Sequence, residues 1–352
     1  MVDSSYMFDV ISIGMGTRDV YLITPPFKVV NDKKHLGKMG FPAGEATCFA
    51  LGSKMEVADI FFTTGGGAVN AAATFARQRL HTGALIAVGD DGHGGEVLRE
   101  LKKEKILVMP VVRKGSHTAY SVLLLGKGGE RAILMYRNPE NNLRLRDIPF
   151  GKLRARWAYL ATGTIDLQTL EGLVKRLSKA KVRIAMNPSK HTIAFGKKKL
   201  GILFERVNAV IVNREEASAL TGVPYEQPRK TFVKLHGLVP GIAVMTEGAK
   251  GAMVSDGFTL YESGGFKGKG VVDRTGAGDA FASGFVAGLI HRNEECRLGL
   301  CDEDNVKYAI RLATANATSK IEQMGGKTGL LTSKEFENSP RWKSLEIRTR
   351  PL

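Results

Sequence analysis

The sequence predicts an α/β protein that combines a mostly parallel central sheet with a smaller β lobe, and three observations lead to this fold class. Over residues 157–221, short β-rich runs alternate with helical patterns, which is the order that βαβ units produce. Two more β-rich runs, 118–126 and 131–136, interrupt that alternation and flank a hairpin-type turn, Lys127-Gly128-Gly129-Glu130. Further along, a glycine-rich loop leads into a helix at about Asp279, an arrangement that binds anions at helix N-termini.

The composition fits a large folded chain that suits anionic partners. The 352 residues are 43% hydrophobic, enough to bury a sizeable core. Lys and Arg outnumber Asp and Glu by 51 to 35, which gives a formal net charge of +16. A nucleic-acid groove is not favoured, because the basic residues lie in short clusters scattered along the chain: Lys33-Lys34, Lys102-Lys103, 154–156, 197–199 and 348–350. We expect these clusters to be solvated surface.

Cysteine usage and hydropathy predict a cytoplasmic protein. Cys48, Cys296 and Cys301 show no metal-type pair spacing and no even-numbered disulfide framework, which favours a reducing compartment. No run approaches the roughly 18 apolar residues of a membrane span, and the polar start is not that of a signal peptide. A membrane partner is therefore not expected.

The first predicted strand is followed by an acidic residue where ligands often bind. Residues 9–14 form a β-rich run that ends at a glycine, and Asp19 comes just beyond it. Open α/β sheets bind ligands outside the carboxyl ends of their strands, so Asp19 can contact a ligand, although it can equally cap a turn. The irregular segment 21–62, with Pro25-Pro26 and several glycines, is predicted to hold strands of the separate lobe.

A triple-glycine turn then leads into an alanine-rich helix, in the segment TTGGGAVNAAATFARQRL at 63–80. Glycines let backbone approach a ligand closely, and Asn70, one turn into the helix, offers both a donor and an acceptor. The order Gly-Gly-Gly-x-x-Asn is not the spaced glycine fingerprint of a dinucleotide site, so that interpretation fails. The strand 84–88 and helix 94–105 follow, with Asp90-Asp91 between them in a position typical of a helix cap.

The hairpin and the 21–62 segment are together predicted to form a small β lid, which excludes water from a ligand site. Arg137 leaves the second hairpin strand and either meets an anionic group or is an ordinary surface arginine. An exposed sheet lobe is also suited to pairing between two copies of the chain, so a homodimer through the lid is expected.

The alternating region carries polar residues at two strand ends. Asn187 follows one predicted strand, and Asn213 with Glu216 follows the next. Asn213 and Glu216 can share one side of a helix start and hold a hydrated magnesium ion. The same spacing fits a capping box, which the spacing alone slightly favours. The predicted elements are strands 157–161, 182–186 and 208–212 and helices 166–180, 190–204 and 214–221.

The strand 242–246 leads into a glycine turn that starts at Thr246 and contains Gly248 and Gly251. Exposed amides in such a turn can border a nucleotide. A plain hairpin explains the pattern about as well.

The most informative stretch is GVVDRTGAGDAFASGFVAGLI at 270–290. Because Gly276, Ala277 and Gly278 carry little side-chain bulk, backbone N–H groups can approach a phosphate, whose charge the helix dipole favours. Asp279 lies beside this anion site and can take a proton from an attacking hydroxyl. Alternatively, the small residues only let a helix pack closely, and the acid is an ordinary first-turn residue. Three further elements complete the chain: a turn at 293–301, a helix at 302–320 and a polar C-terminal tail at 327–352.

Taken together, the front glycine motif and the rear motif DRTGAGDAFASGF resemble the two signatures of the ribokinase-like, or PfkB, carbohydrate kinase family. The resemblance covers residues 8–332 in element order, and its rear signature is highly specific. It implies a single three-layer α/β/α domain over residues 1–352, with a small β lid formed from 18–62 and 112–137. It also implies transfer of the γ-phosphoryl group of ATP to a substrate hydroxyl, with Mg2+.

The resemblance implies roles for individual residues. Asp279 matches the catalytic base, and Gly276, Ala277 and Gly278 match the anion hole. The positions that hold sugar hydroxyls match Asp19, Gly66, Gly67 and Asn70. Asn213 and Glu216 match an element that influences magnesium and phosphate binding, which weakens the capping interpretation. The other matches are Thr246, Gly248 and Gly251 beside the nucleotide, Asn187 on the phosphate side, Asn316 on the adenine-side helix, Arg137 as a lid-strand arginine, and Asp273 with Thr275 in a loop that in many members holds a monovalent cation such as K+.

Two departures from the family pattern bear on the cation loop and on the substrate, respectively. Arg274 stands where a small or β-branched residue is usual and adds a positive charge near an anion site. The segment 27–59 is longer than in simple ribokinases and closer in size to nucleoside-kinase lids. The sequence thus predicts a kinase acting on a sugar or sugar derivative, with a nucleoside kinase as the alternative. A catalytically silent member that binds ligands or nucleic acid is the alternative from another class, and the intact Asp279 argues against it.

Overall fold

The structure is a computed structural model that describes residues 7–25, 29–39, 45–126, 131–266, 268–293 and 301–352. The chain divides into two compact units. The first comprises 1–17, 64–118 and 138–352, and the second comprises 18–63 and 119–137.

The strands in chain order are β1 (Phe8–Met15), β2 (Thr17–Thr24), β3 (Val29–Asn31), β4 (Glu45–Thr47), β5 (Asp59–Gly65), β6 (Thr82–Gly89), β7 (Leu107–Arg113), β8 (Ala119–Gly126), β9 (Arg131–Tyr136), β10 (Ala155–Ala161), β11 (Arg183–Asn187), β12 (Ala209–Asn213), β13 (Ile242–Thr246), β14 (Ala252–Ser255), β15 (Thr259–Ser263) and β16 (Ile347–Pro351). The α-helices are α1 (Lys33–Lys38), α2 (Gly67–Arg77), α3 (Gly92–Lys103), α4 (Leu167–Lys179), α5 (Lys190–Ile193), α6 (Lys197–Phe204), α7 (Arg214–Thr221), α8 (Pro228–His236), α9 (Ala277–His291), α10 (Glu303–Ile321) and α11 (Ser333–Asn338).

The first unit is built on a ten-stranded sheet in the order β16-β15-β14-β13-β12-β11-β10-β1-β6-β7. The strands from β13 to β7 pair in parallel, and β14, β15 and β16 are added antiparallel at one edge. Parallel pairing aligns the carboxyl ends of the strands along one edge of the sheet. The predicted mostly parallel sheet is confirmed.

Side chains alternate between the two faces of the sheet, and helices cover both faces. Along β1, Val10 packs into one core, while Ile11 and Ile13 pack into the other. The core that contains Val10 includes apolar residues of α2, α3, α9 and α10, whereas the opposite core includes those of α4, α6, α7 and α8. The three-layer α/β/α architecture is therefore confirmed.

The edges of this sheet differ from the prediction. β7 pairs in parallel with β6, so residues as far as Arg113 belong to the main sheet and the second unit resumes only at residue 119, not at 112. The tail at 327–352 contains α11 and β16, and β16 pairs with β15 as the last strand of the sheet. A five-residue edge strand rich in Arg gives too little alternation to be read from the sequence. Trp342, also in this tail, is buried against Phe266.

The second unit contains a four-stranded sheet in the order β5-β2-β8-β9 and a two-stranded sheet of β3 and β4. β8 and β9 pair antiparallel with Leu123 opposite Ile133, while the predicted turn at 127–130 lies outside the described residues. Within this unit Tyr21 stacks on Phe61 at 4.5 Å between ring centroids.

The structure bears on two expectations drawn from the sequence, one on membrane spans and one on cysteines. No helix in the described part of the chain is long and apolar enough to span a membrane. Cys48 is a free, exposed thiol, whereas Cys301 is disulfide-bonded, which the number and spacing of the cysteines did not indicate. Most of the predicted turn at 293–301 lies outside the described residues.

Candidate active site

The candidate site lies where the helices that follow neighbouring strands leave on opposite faces of the sheet. β1 and β10 are adjacent, and α2 packs in one core while α4, which follows β10, packs in the other. Ligands in open α/β sheets bind in the crevice outside such a switch point. Gly67 marks this place, because a Cβ atom there would lie 3.1 Å from Cβ of Ala161, the last residue of β10.

The small-residue turn before α9 is shaped by close backbone packing at its first residue. Gly276 has φ +76°, and a Cβ atom there would lie 2.7 Å from the carbonyl oxygen of Gly326. By contrast, a Cβ atom at Gly278 would meet nothing within 4 Å, and this residue is exposed. The first turn of α9 thus has open space at Gly278, as an anion site requires, while the N–H of Ala277 donates to the Arg274 carbonyl oxygen at 3.2 Å.

Asp279 is the third residue of α9 and is half-buried beside the start of α2. Its Oδ2 accepts a hydrogen bond of 2.8 Å from Nδ2 of Asn70. A Cβ atom at Gly67 would lie only 3.2 Å from its Oδ1, so α2 begins against this carboxylate. Two helix N-termini therefore adjoin this one carboxylate.

Small residues in the rest of α9 serve helix packing, as the alternative interpretation of this stretch proposed. A Cβ atom at Gly284 would lie 3.0 Å from Cα of Ala313, and one at Gly288 would lie 2.5 Å from Cα of Ala309. These glycines let α9 and α10 approach closely. Packing explains Gly284 and Gly288, but it does not explain the open space at Gly278.

Asn213 and Glu216 form a capping box at the start of α7. The backbone N–H of Glu216 donates to Oδ1 of Asn213 at 2.8 Å, and the N–H of Asn213 donates to Oε2 of Glu216 at 2.9 Å. Burial raises the pKa of Glu216 above its usual value, the N–H of Asn213 opposes this, and the negative charges of Glu215 and Asp279 add to the rise. A cation near these carboxylates would offset that repulsion, so the donor set fits magnesium. In the described part of the chain no cluster of three or more His, Cys, Asp or Glu could hold a metal alone.

The glycine turn after β13 is anchored by an ion pair that the sequence analysis missed. Arg214 pairs with Glu247 at 2.9 Å, and each side chain is 11% exposed. Gly251 has φ +97°, and a Cβ atom there would lie 1.9 Å from the carbonyl oxygen of Ser263. Gly248 also has a positive φ, +60°, but has open space around it. Thr246 is the last residue of β13, paired with Ala252 across the turn.

Two asparagines predicted near the nucleotide have structural partners. Nδ2 of Asn187 donates to the carbonyl oxygen of Ile211 at 2.8 Å, and the residue is only partly buried at the end of β11. Asn316 is 0% exposed. Its Nδ2 donates to the Ala280 carbonyl at 2.8 Å, and its Oδ1 accepts from the Leu331 N–H at 2.9 Å. The amide of Asn316 joins α10 to α9 and the tail, and its place on an adenine-side helix stays a prediction.

The remaining predicted substrate residues occupy different environments. Gly66 has φ +97°, and a Cβ atom there would lie 2.4 Å from the carbonyl oxygen of Met15, so only glycine fits. In the second unit, Asp19 is buried and Arg137 is exposed. The roles of Asp19 and Arg137 in substrate binding stay predictions.

The predicted cation loop contains a buried lysine that sequence reasoning overlooked. Nζ of Lys320 donates to the backbone carbonyl of Asp273 at 2.8 Å and lies 3.5 Å from its Oδ2. Lys320 looks in the sequence like an ordinary helix-end residue beside Ser319 and Ile321, yet it is 0% exposed. A monovalent cation held by Asp273 does not fit, since the lysine ammonium already uses the oxygens that it would need.

The fold, the glycine turn and the carboxylate are compatible with a phosphotransferase that has an alcohol group as acceptor. The chain matches the family described as pfkB family carbohydrate kinase over residues 43–333, and it belongs to that family.

The proteins similar to this chain are named as kinases with different phosphoryl acceptors. The chain is 25% identical over 236 residues, 64% of this chain and 72% of the relative, to an ATP-dependent 6-phosphofructokinase of Thermoanaerobacterium thermosaccharolyticum. It is 38% identical over 133 residues, 36% of this chain and 47% of the relative, to a cytidine kinase of Thermococcus kodakarensis. In fold it is similar to an Arabidopsis thaliana ribokinase complexed with ribose and ATP, with a TM-score of 0.70, 18% identity and coverage of 96% and 99%.

Proposed function

We propose that this protein transfers the γ-phosphoryl group of ATP to a hydroxyl of a sugar or sugar derivative, with Asp279 as the general base. The observation that carries the proposal is the 2.8 Å hydrogen bond from Asn70 to Asp279, beside the open first turn of α9. A base needs a fixed carboxylate oxygen within reach of the attacking hydroxyl, and Asn70 fixes one of the two oxygens.

The chemistry divides between the carboxylate and the amides. Asp279 removes the proton of the acceptor hydroxyl as its oxygen forms the new bond to the γ-phosphorus. The bond from that phosphorus to the bridging oxygen breaks, and its electron pair leaves with ADP. Backbone N–H groups at Gly276 and Gly278 stabilise the charge on the transferring group. The N–H of Ala277 donates to the Arg274 carbonyl oxygen at 3.2 Å in this structure, and it joins them when that hydrogen bond opens.

Asn70 has a second function that follows from its unpaired acceptor. Its Oδ1 is buried and has no hydrogen-bond partner, while a Cβ atom at Gly326 would lie 3.4 Å from it. A buried acceptor without a donor is unfavourable, so a donor from the ligand would stabilise it. We assign Asn70 to the substrate hydroxyl that neighbours the reacting one, together with the adjoining amides of Gly66 and Gly67. Asp19 and Arg137 are kept as predicted substrate contacts.

Magnesium would be held by Glu216 and Asn213 through water, together with phosphate oxygens of ATP. The capping box uses Oε2 of Glu216, and burial, together with the charges of Glu215 and Asp279, raises the pKa of this carboxyl. When bound there, the ion would supply positive charge that offsets the charge of the phosphates. The nucleotide would be bordered by the turn after β13, which contains Thr246, Gly248 and Gly251. Asn187, at the end of β11, would face the phosphate side.

The acceptor class is best tested by an ADP-release screen over sugars, sugar acids, phosphosugars and nucleosides. A single strong sugar or phosphosugar hit with Asp279-dependent turnover supports the proposal. A nucleoside hit would favour the nucleoside-kinase alternative, for which the relative named cytidine kinase is the specific support. Salt-sensitive binding of DNA or RNA with no ADP release on any hydroxyl compound would favour a silent binding protein.

We also propose that two copies pair through the sheet of the second unit. The edge strand β9 exposes Leu134, Met135 and Tyr136, which is an unusual apolar content for an unpaired edge. Sedimentation of the wild type and a Leu134→Lys variant tests this, since only a β9 interface predicts that the lysine produces monomers. A cytoplasmic location is proposed because ATP is the donor.

A further inference from the structure

The loop before α9 is contacted by a positively charged side chain of the protein itself, that of Lys320. Lys320 lies in the last turn of α10, and its side chain is 0% exposed. Its Nζ donates to the Asp273 carbonyl at 2.8 Å and lies 3.5 Å from the Asp273 carboxylate. An ammonium is buried only when its charge is paired and its protons are hydrogen-bonded.

The carboxylate of Asp273 is held at the same time by two loops. Its Oδ1 accepts from the Thr275 N–H at 2.8 Å, and its Oδ2 accepts from the Gly325 N–H at 3.0 Å. Burial alone would raise the pKa of Asp273, but the hydrogen bonds from Thr275 and Gly325 and the charge of Lys320 lower it below its usual value. The lysine therefore has a charged partner that fixes the loop before α9 against the loop after α10.

These contacts extend to residues 276–278, the small-residue turn at the start of α9, which we call the anion turn. Gly276 is packed so closely on Gly326 that a Cβ atom would lie 2.7 Å from its carbonyl oxygen. Gly325, its neighbour, is the residue bonded to Asp273. Loss of the charge at Lys320 would leave the Asp273 oxygens without their cation and free the two loops to separate, which would displace the first turn of α9.

We propose that Lys320 is a positioning residue that replaces a bound monovalent cation, so that the phosphate-binding turn of this enzyme works without K+. The inference rests on the proposed kinase function, and it predicts that wild-type activity is insensitive to K+. A metal cation at the Asp273 oxygens would lie within a few ångströms of the ammonium, where two like charges repel strongly in a buried site.

The test compares wild type, Lys320→Ala and Lys307→Ala in KCl, NH4Cl and tetramethylammonium chloride at equal ionic strength, with ATP as its Tris salt. Lys307 is the matched control, because it lies on the same helix but pairs with Glu303 at a partly exposed position. We expect wild type and Lys307→Ala to change less than about twofold between salts, and Lys320→Ala to lose about 100-fold in kcat/KM for ATP in tetramethylammonium chloride. K+ or NH4+ is expected to restore at least about tenfold to Lys320→Ala by occupying the vacated position.

Strong stimulation of the wild type by K+ contradicts the proposal. Full activity of Lys320→Ala without K+ or NH4+, or a loss that neither ion reverses, also contradicts it.

Two readouts do not depend on turnover and separate this inference from the proposed function. The unfolding temperature of Lys320→Ala should rise in KCl relative to tetramethylammonium chloride, with no such difference in the wild type. Crystals soaked in RbCl should show an anomalous peak beside Asp273 in Lys320→Ala and none there in the wild type. Lys320→Gln serves as the second variant if the alanine fails to fold, and a rubidium peak beside Asp273 in the wild type overturns the proposal without any variant.

Discussion

Nδ2 of Asn70 and Oδ2 of Asp279 are 2.8 Å apart although 209 residues separate them in the sequence. The contact joins the first turn of α2 to the first turn of α9, so the front and rear glycine motifs form one site. It also explains why both motifs begin with small residues, since a Cβ atom at Gly67 would press on the same carboxylate.

Replacing Asp279 by Asn should remove the base while keeping the local structure. The amide introduced by Asp279→Asn is too weak a base to take a proton, but its oxygen can still accept the hydrogen bond from Asn70, so the unfolding temperature should stay close to that of the wild type. We expect kcat to fall about 1,000-fold, the range of general-base contributions, with little change in nucleotide affinity. Asp304→Asn, an acid in the first turn of α10, is the control and should retain full turnover. Turnover near that of the wild type in Asp279→Asn would remove Asp279 as the base.

Asn70→Ala should mainly lower activity, whereas Asn316→Ala should mainly lower stability. Asn70→Ala removes a hydrogen bond to a charged group, so kcat/KM for the acceptor should fall about 10- to 100-fold. Asn316→Ala leaves the buried Ala280 carbonyl and Leu331 N–H without partners, so the free energy of unfolding should fall by about 2 to 3 kcal/mol while kcat per folded molecule is kept. Steady-state kinetics and urea unfolding of both variants measure the two quantities. Loss of ATP affinity in a folded Asn316→Ala variant would instead support the predicted nucleotide role of Asn316.

Gly251→Ala should be far more destabilising than Gly248→Ala, although both residues have positive φ. At position 251 the new Cβ atom would lie 1.9 Å from the Ser263 carbonyl oxygen, whereas at 248 it meets nothing within 4 Å. We expect a loss of about 3 kcal/mol or more in the free energy of unfolding for Gly251→Ala and about 1 kcal/mol for Gly248→Ala. Urea unfolding checks the order. Equal losses would mean that the turn relaxes and that the backbone of β15 does not confine it.

Glu216 should make the stability of the ligand-free protein depend on pH. Its folded-state pKa is raised above the usual value of 4.5, first by burial and also by the charges of Glu215 and Asp279. A carboxyl with a raised pKa binds its proton more tightly when folded, so its contribution favours folding at pH below 4.5 and is lost as pH rises through the window up to the folded pKa.

At neutral pH, Glu216→Gln should therefore raise the unfolding temperature in the absence of ligand, and the gain should disappear as pH falls below that window. The same variant should weaken the magnesium dependence of turnover, if Glu216 positions the ion. Thermal unfolding between pH 4 and 8, in steps of about one unit, follows the linkage relation directly. A variant less stable than the wild type at neutral pH would show that the capping hydrogen bond outweighs the buried charge.

The fold and the central residues of the site were largely predictable because they depend on local pattern. The alternation of strands and helices after residue 157 predicts parallel pairing, and that pairing is found from β10 to β13. The motif around Asp279 specifies a loop, a helix start and an acid within a few residues, which needs no distant partner to be recognised. The capping box of Asn213 and Glu216 was likewise within reach, since its two hydrogen bonds join residues three apart.

Other features could not be predicted because the deciding neighbour lies far away in the chain. Asn316 resembles a polar residue on an exposed helix, but contacts with Ala280 and Leu331 bury it. The tail looks polar, yet β16 pairs with β15 and completes the sheet edge. Arg274 is exposed beside the anion turn, and nothing in the structure explains its presence there.

The sequence by itself determined the class of fold, the face that each strand residue presents and the identity of the acidic residue beside the glycine turn. These follow from periodicity and from backbone conformations that only small residues allow. The tertiary structure decided which polar and charged groups meet: it brought Asn70 to Asp279, paired Arg214 with Glu247 and enclosed Lys320 against Asp273. A buried charge must find its partner wherever the folded chain brings one, and sequence spacing does not encode that distance.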